Sequence, residues 1–417
     1  MAIIEHAVNN NYTMSSTGEV LYLYTGEWMG TQGQMINSSN AVANDLDNKI
    51  YGTSFNGNFG SGNNVIHALA GNDTVFAYSG NDMVYGGDGN DVLDGGAGGD
   101  TLVGGAGNDV LRAGNGDNTE YISTPLGYVY QYISDVLSGE EGDDRLYSDG
   151  HDFLTGGAGN DRFYLGGTGL TVAYGDEGDD TFYVTSNNEV IIHGGDGFDR
   201  VVVYGNFNMG AVQADVERLV VRSTEGAYVT GNAYDNVIVG GSGADTLTAG
   251  IGGNDQLNGG AGDDVLMVGT DVFPYGHTGH VALTGGAGAD TFYFGGAMWG
   301  KHTHGTDNAI VIRDFEQGVD HIRLAVNTQY YQSYTKGSVF TKIDNNGETF
   351  NQLYQKALAA HPAYGSMTIA YFNYNDNTYV VESSSLYGSS PEFAFRLTGV
   401  YDLTLSDFVI DMYNQVR

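Results

Sequence analysis

The sequence predicts an all-β solenoid of short strands joined by glycine-rich turns. Three observations carry this. From Gly86 the chain reads GGDGNDVLD, GGAGGDTLV and GGAGNDVLR in an unbroken period of nine. Glycine supplies 66 of the 417 residues, more than twice its usual share of about 7%, while the apolar fraction of 41% is too high for a disordered chain. Finally, 51 acidic residues against 15 basic ones leave a net charge of −36. Such a charge repels nucleic acid and anionic membrane and attracts cations.

The remaining composition closes other routes. Four prolines exclude collagen and proline-rich linkers, and the lack of cysteine removes disulfides, thiolate metal sites and cysteine nucleophiles. The start, Met1-Ala2-Ile3-Ile4-Glu5-His6, shows no basic residue followed by a long apolar run. Neither a secretory signal peptide nor a membrane-spanning helix is expected, so export would need another address.

Along the chain, residues 1–58 carry no enzyme motif. Glu19 to Thr25 (EVLYLYT) alternates as a strand does, and Ile36 to Gly57 is polar and turn-rich. The first coil of a solenoid has an open edge, which makes this segment the expected N-terminal cap or assembly surface.

Residues 59–112 form the first repeat block. Copies begin at Ala68, Ala77, Gly86, Gly95 and Gly104, and GSGNNVIH from Gly60 keeps the register with Asn64 in the aspartate place. Glycines at the first, second and fourth positions free the turn to adopt positive φ and aim carbonyls inward; the sixth-position aspartate adds a carboxylate. Together these oxygens make a shell for a hard cation. The candidate ligands are Asp73, Asp82, Asp91, Asp100 and Asp109, in turns shaped by Gly71, Gly80, Gly86, Gly89, Gly95, Gly98, Gly104 and Gly107. Val75, Val84, Leu93, Leu102 and Leu111 follow as core residues of one short strand per repeat. Two repeats complete a coil, so aspartates 18 apart stack: Asp73, Asp91 and Asp109 in one column, Asp82 and Asp100 in the opposite one.

Residues 113–137, with Pro125, Tyr121, Tyr128, Tyr130 and Tyr132, interrupt the array and read as an insertion loop. A second block, 138–200, holds Asp144, Asp161, Asp180 and Asp199 with Gly156 and Gly159. Its last three aspartates are 19 apart, and the facing turns Gly166-Gly167-Thr168-Gly169 and Ser186-Asn187-Asn188-Glu189 lack the carboxylate, which predicts a metal-poor side. Residues 201–300 are linking coils and a third block. Leu219-Val220-Val221 and Val237-Ile238-Val239 are expected strands, Asn236 stands for an aspartate, and Asp245, Asp264 and Asp290 are candidate ligands with Gly259 and Gly262.

These nonapeptides resemble the glycine-rich calcium repeats of the RTX family. The resemblance implies a right-handed parallel β-roll in which each Ca2+ sits between stacked turns, held by backbone carbonyls and sixth-position aspartates, about one ion per good turn. It also implies export. Asp314-Phe315, Gly318-Val319-Asp320 and Leu403-Thr404-Leu405-Ser406-Asp407-Phe408 are similar to the C-terminal end of RTX proteins that leave by type I secretion. Residues 301–417 are therefore expected to be a β-rich cap that carries the secretion signal. Within it, Glu348 to Ala360 has apolar residues at helical spacing, and Met367 to Glu382 reads as a hairpin turning at Asn375-Asp376-Asn377.

No H-E-x-x-H or G-x-S-x-G motif occurs, and the repeats fill the space of a catalytic domain. The histidines His277, His280, His302 and His304, beside Trp299 and Lys301, have spacings compatible with a transition metal and equally with plain loops. The 30 tyrosines concentrate at 121–132, 328–334 and 364–387 and suit interfaces as well as strand faces. The leading functional expectation is a secreted, calcium-dependent structural protein that self-assembles into a surface layer or matrix filament. Its contacts would join the two chain ends, with Tyr22, Tyr24, Trp28, Tyr330 and Tyr331 as anchors. A polysaccharide-binding or polysaccharide-modifying exoprotein, and a calcium-buffering exoprotein, are the alternatives.

Overall fold

A computed structural model describes residues 4–7, 11–13, 20–23, 38–52, 63–114, 119–124, 127–132, 134–185, 189–209, 215–250, 252–268, 279–294, 310–327, 339–360, 367–384 and 391–413. The chain divides into two compact units, Met1–Val202 and Val203–Arg417.

In the first unit the nine-residue period becomes one strand per repeat, dealt alternately to two sheets. One sheet runs Thr74–Phe76, Val92–Gly96, Val110–Gly114, Arg145–Gly150, Arg162–Thr168 and Thr181–Val184, every neighbour parallel. The other runs Asn63–Ala70, Met83–Asp88, Thr101–Ala106, Val136–Glu141, Phe153–Ala158, Thr171–Glu177 and Val190–Asp196, again all parallel. The single apolar residue of each repeat points between the sheets: Val75, Leu93, Leu111, Leu146, Phe163 and Phe182 from one side, Ile66, Val84, Leu102, Leu137, Leu154 and Ile192 from the other, all fully buried. Each coil alone buries too little to be stable, so stacking supplies the core.

The described strands of the first 58 residues continue this architecture. Ile4–Ala7 pairs with Val20–Leu23, and Val20–Leu23 with Lys49–Tyr51, which joins Thr74–Phe76; Asn11–Thr13 and Ser38–Val42 extend the second sheet in the same way. These coils lack the glycine motif yet keep the parallel register. The insertion is an antiparallel hairpin of Thr119–Thr124 and Gly127–Tyr132.

The second unit repeats the plan. Arg218–Val221, Val237–Val239, Asp255–Ala261, Val281–Ala287 and Ile310–Ile312 form one parallel series. Tyr228–Thr230, Thr246–Thr248, Val265–Val268, Thr291–Phe294, His321–Asn327 and Phe408–Tyr413 form the other. Pro391–Thr398 joins Ile310–Ile312 and then turns the sheet antiparallel through Asn377–Ser384 and Met367–Tyr374. That hairpin turns at Asn375 and Asp376, both at positive φ (48° and 58°), a turn these two residue types accept. The helix Phe350–Ala359 starts with a Thr349–Gln352 capping box and packs Leu353, Tyr354 and Ala357 on Ala370, Phe372, Tyr379 and Val381. Among the described residues no helix is long and apolar enough to cross a membrane.

Candidate metal centre

Two side-chain ladders hold the turns of the first unit together. The sixth-position aspartates form the inner one. Asp91 Oδ1 accepts the backbone N–H of Asp73 at 2.8 Å, Asp109 Oδ1 that of Asp91 at 2.7 Å, and Asp144 Oδ1 that of Asp109 at 2.7 Å; Asp161, Asp180 and Asp199 carry the column on. Opposite it, Asp100 accepts from Asp82, and Asp82 from Asn64. The outer ladder, which the period alone did not reveal, is built by fifth-position residues and runs the other way. Asn72 Oδ1 accepts the N–H of Asn90, Asn90 Oδ1 that of Asn108, and Asn108 Oδ1 that of Asp143. Consecutive amides of each turn are thus satisfied by the coil on either side.

The inner ladder uses only one oxygen of each carboxylate. The Oδ2 atoms of Asp73, Asp82, Asp91, Asp100, Asp109, Asp144, Asp161, Asp180 and Asp264 are buried and accept no hydrogen bond among the described residues. Except in the turns of Asp73 and Asp82, whose repeats begin with Ala68 and Ala77, each lies against the first-position glycine of its own turn. A side chain added to Gly86 would run into Asp91 Oδ2 and the Gly104 carbonyl, and one added to Gly259 into Asp264 Oδ2 and the Gly285 carbonyl. The first glycine therefore serves space, since its φ is not positive, and corrects the expectation that all three glycines serve φ. The second and fourth do need it: Gly87 has φ 111° and Gly89 φ 136°. Carbonyls of the preceding coil, Leu69 and Gly71, also fill the places their side chains would take.

An unpaired buried carboxylate is costly, and the electrostatics register the cost. Burial, ahead of all else, pushes Asp82 and Asp144 up to about 6, Asp73, Asp100, Asp109, Asp161 and Asp264 to about 7, and Asp180 to about 8; Asp91 moves the same way. Neighbouring carboxylates add to the rise, while the accepted backbone N–H bonds oppose it. Convergent hard oxygens with no donor among them fit a divalent cation of the calcium type.

Not every sixth position offers a free oxygen. Asp245 Oδ2 accepts Gly241 N–H at 2.7 Å, and Asp320, which ends its column by accepting Asp290 N–H, accepts Glu316 N–H at Oδ2 at 2.8 Å. Asp314 accepts the amides of Gly285 and Gly286. In the column of Asp82 and Asp100, Asp152 Oδ2 is held by the Ser148 hydroxyl at 2.6 Å, which in turn meets Thr171 Oγ1 at 3.3 Å. Thr171, fully buried, stands where an aspartate would be. Asparagines head three columns: the amides of Asn48, Asn64 and Asn236 donate to Asp73, Asp82 and Asp255.

Sequence reasoning missed Asp135, Asp152, Asp255 and Asp320 as column members. Asp135 follows Asp100 once the hairpin is excised, since Asp100 N donates to Asp135 Oδ1 and Asp135 N to Asp152 Oδ1. Burial and the nearby Asp152, Asp100 and Asp149 push Asp135 to about 9, and oxygens of Asp135, Asp149 and Asp152 lie within 4.8 Å of one another. The available signal was the tail of the repeat, aspartate then x-apolar-x, in DVLS from Asp135, DFLT from Asp152, DQLN from Asp255 and DHIR from Asp320. Of the histidine cluster only His280 is described; His277, His302, His304, Trp299 and Lys301 lie outside the described residues.

A family model described as the RTX calcium-binding nonapeptide repeat (four copies) matches residues 60–93, 94–119, 134–150, 148–169, 230–266, 252–271 and 275–297. The chain carries RTX calcium-binding repeats. Its RTX coils thus bind Ca2+, and the orphaned Oδ2 atoms mark which turns are the candidates to do so. The chain is similar in part to the solution structure of the AlgE6R3 subunit from the Azotobacter vinelandii mannuronan C5-epimerase. Identity is 24% over 43% of this chain and 80% of that one, with a TM-score of 0.26. No curated protein matches.

Proposed function

We propose that this RTX chain is a secreted structural protein that folds on meeting extracellular calcium and self-assembles into a surface layer or matrix filament. The observation that carries the reading is the stack of buried carboxylate oxygens without donors. The ligand shell exists only in the folded roll, so binding free energy is folding free energy. Extracellular RTX-type sites need calcium in the range of about 10⁻⁴ to 10⁻³ M, far above cytosolic levels. The chain therefore stays unfolded inside the cell, which suits passage through a type I exporter, and orders outside.

The assembly half is supported by the sheer extent of the coils and by a surface with sharply separated charge, described below. The end contacts expected from Tyr24, Trp28, Tyr330 and Tyr331 lie outside the described residues, as does the side chain of Tyr22. Light scattering and negative-stain microscopy during a calcium titration test the proposal: polymers form in millimolar calcium and disperse in chelator. A chain that stays monomeric at high concentration in calcium overturns the structural role and favours the polysaccharide-active alternative.

A further inference from the structure

The first unit contains five basic residues, Lys49, Arg112, Arg145, Arg162 and Arg200. All five lie on strands of the sheet that contains Leu93 and Leu111, at positions alternating with the buried core. Arg145 and Arg162 are register neighbours, Thr181 follows, and the Arg200 guanidinium donates to Thr181 Oγ1 at 3.3 Å. Beside them Tyr147, Tyr164 and Tyr183 stack at 4.4 and 4.9 Å, with Arg112 over the Tyr147 ring. The rings spend their faces on one another, so this surface offers guanidinium groups and ring edges, with Asp94, the register partner of Arg112, as an acid at its margin. Among the described residues none of the four arginines forms an ion pair. The other sheet turns Met83, Val136 and Phe153 outward instead.

The acids are equally one-sided. Glu140, Glu141, Asp176, Glu177 and Asp196 are exposed at the ends of strands Val136–Glu141, Thr171–Glu177 and Val190–Asp196, the first and last of which precede the strands of Arg145 and Arg200. They share register rows: Glu140 aligns through Gly157 with Asp176, and Glu177 with Asp196. Basic face and acidic edge therefore run along the same stack of strands about 4.8 Å apart, the acids skipping the coil of Gly157 and Ala158 and the arginines that of Thr181.

We propose that the arginine–tyrosine face of one copy docks along the acidic turn edge of a second copy. This rests on the self-assembly reading above and moves its contact from the chain ends to the sides of the first unit. Opposite charges strung along the same strand stacking make another roll the fitting partner, and two different surfaces make the contact heterologous, able to propagate without closing.

The test uses the full chain in millimolar calcium, with circular dichroism to verify folding. One variant carries Arg112→Gln, Arg145→Gln, Arg162→Gln and Arg200→Gln; the other carries Glu140→Gln, Glu141→Gln, Asp176→Asn and Glu177→Gln. An Arg145→Gln, Arg162→Gln double variant serves if the first folds poorly. Wild type assembles, each variant alone needs at least about tenfold more protein to do so, and an equal mixture of the two gives dimers that do not grow. If wild type assembles and the arginine variant assembles equally well, this inference fails while the structural role survives. The same holds if that variant loses only retention on an acidic polysaccharide. If wild type itself never assembles, the underlying reading fails.

Discussion

Asp91 accepts the backbone N–H of Asp73 at one carboxylate oxygen, Oδ1, at 2.8 Å, and its other, Oδ2, lies buried without a donor among the described residues. The first oxygen sets the coil register, and the second demands a cation. The two roles can be separated by substitution. Asp91→Asn keeps an acceptor for the Asp73 amide but removes the charge, whereas Asp91→Ala removes both. Both variants should lose calcium on the column of Asp73 and Asp109 and keep it on that of Asp82 and Asp100, because coils couple mainly to their neighbours. The alanine variant should be less stable than the asparagine one by about 0.5–1.5 kcal/mol, the net worth of a hydrogen bond between neutral groups. Metal occupancy in variant structures and denaturation in calcium check both points.

Glycine substitutions separate space from backbone conformation. Gly86→Ala places a methyl against Asp91 Oδ2 and the Gly104 carbonyl and should abolish calcium at that turn. Gly89→Ala meets both a positive φ of 136° and the Gly71 carbonyl, and should cost more than about 1 kcal/mol even where calcium saturates. Calcium stoichiometry by calorimetry, read beside thermal stability, distinguishes the two.

The metal-free roll should respond to pH. Burial raises Asp82 to about 6 and Asp180 to about 8, far above the unfolded carboxylate value of about 3.9. Between those limits the folded chain binds more protons than the unfolded one. The contribution of these groups to metal-free stability is fully present below the unfolded pKa and is lost as pH rises through 6 to 8. In chelator, the circular dichroism of β-structure should grow as pH is lowered from about 8 to about 5. A flat profile contradicts the assignment of those carboxylates as buried.

Where hydroxyls replace the ion, stability should not depend on calcium. Ser148→Ala deprives Asp152 Oδ2 of its 2.6 Å donor and should cost about 1–3 kcal/mol. Chemical denaturation at two saturating calcium concentrations should give the same loss.

The roll itself was legible because its signal is periodic. Repeats from Ala68 to Gly104 predicted alternate strands, the core from Val75 to Leu111 and the two aspartate columns, and the helix and the hairpin at Asn375 followed from spacing. What escaped was whatever breaks the period without breaking the stack. Asp135 is separated from its glycines by a hairpin, the turn before Asp152 is one residue short, and the described strands before residue 58 pair in parallel, Val20 with Lys49, with no glycine motif at all. Parallel pairing is a backbone property and tolerates such changes, while the motif reports only the turns that need an ion. The outer ladder of Asn72 and Asn90 was hidden for another reason: both residues lie inside the motif, and nothing in the period assigns direction to a side chain.

On the function proposed above, buried oxygens such as Asp91 Oδ2 make the fold conditional on calcium. Far-ultraviolet circular dichroism of the full chain at neutral pH, in chelator and then in millimolar calcium, tests it most directly. The expected spectrum is disordered in chelator and converts cooperatively to β-structure as calcium is added. The same β-content in both solutions would contradict it.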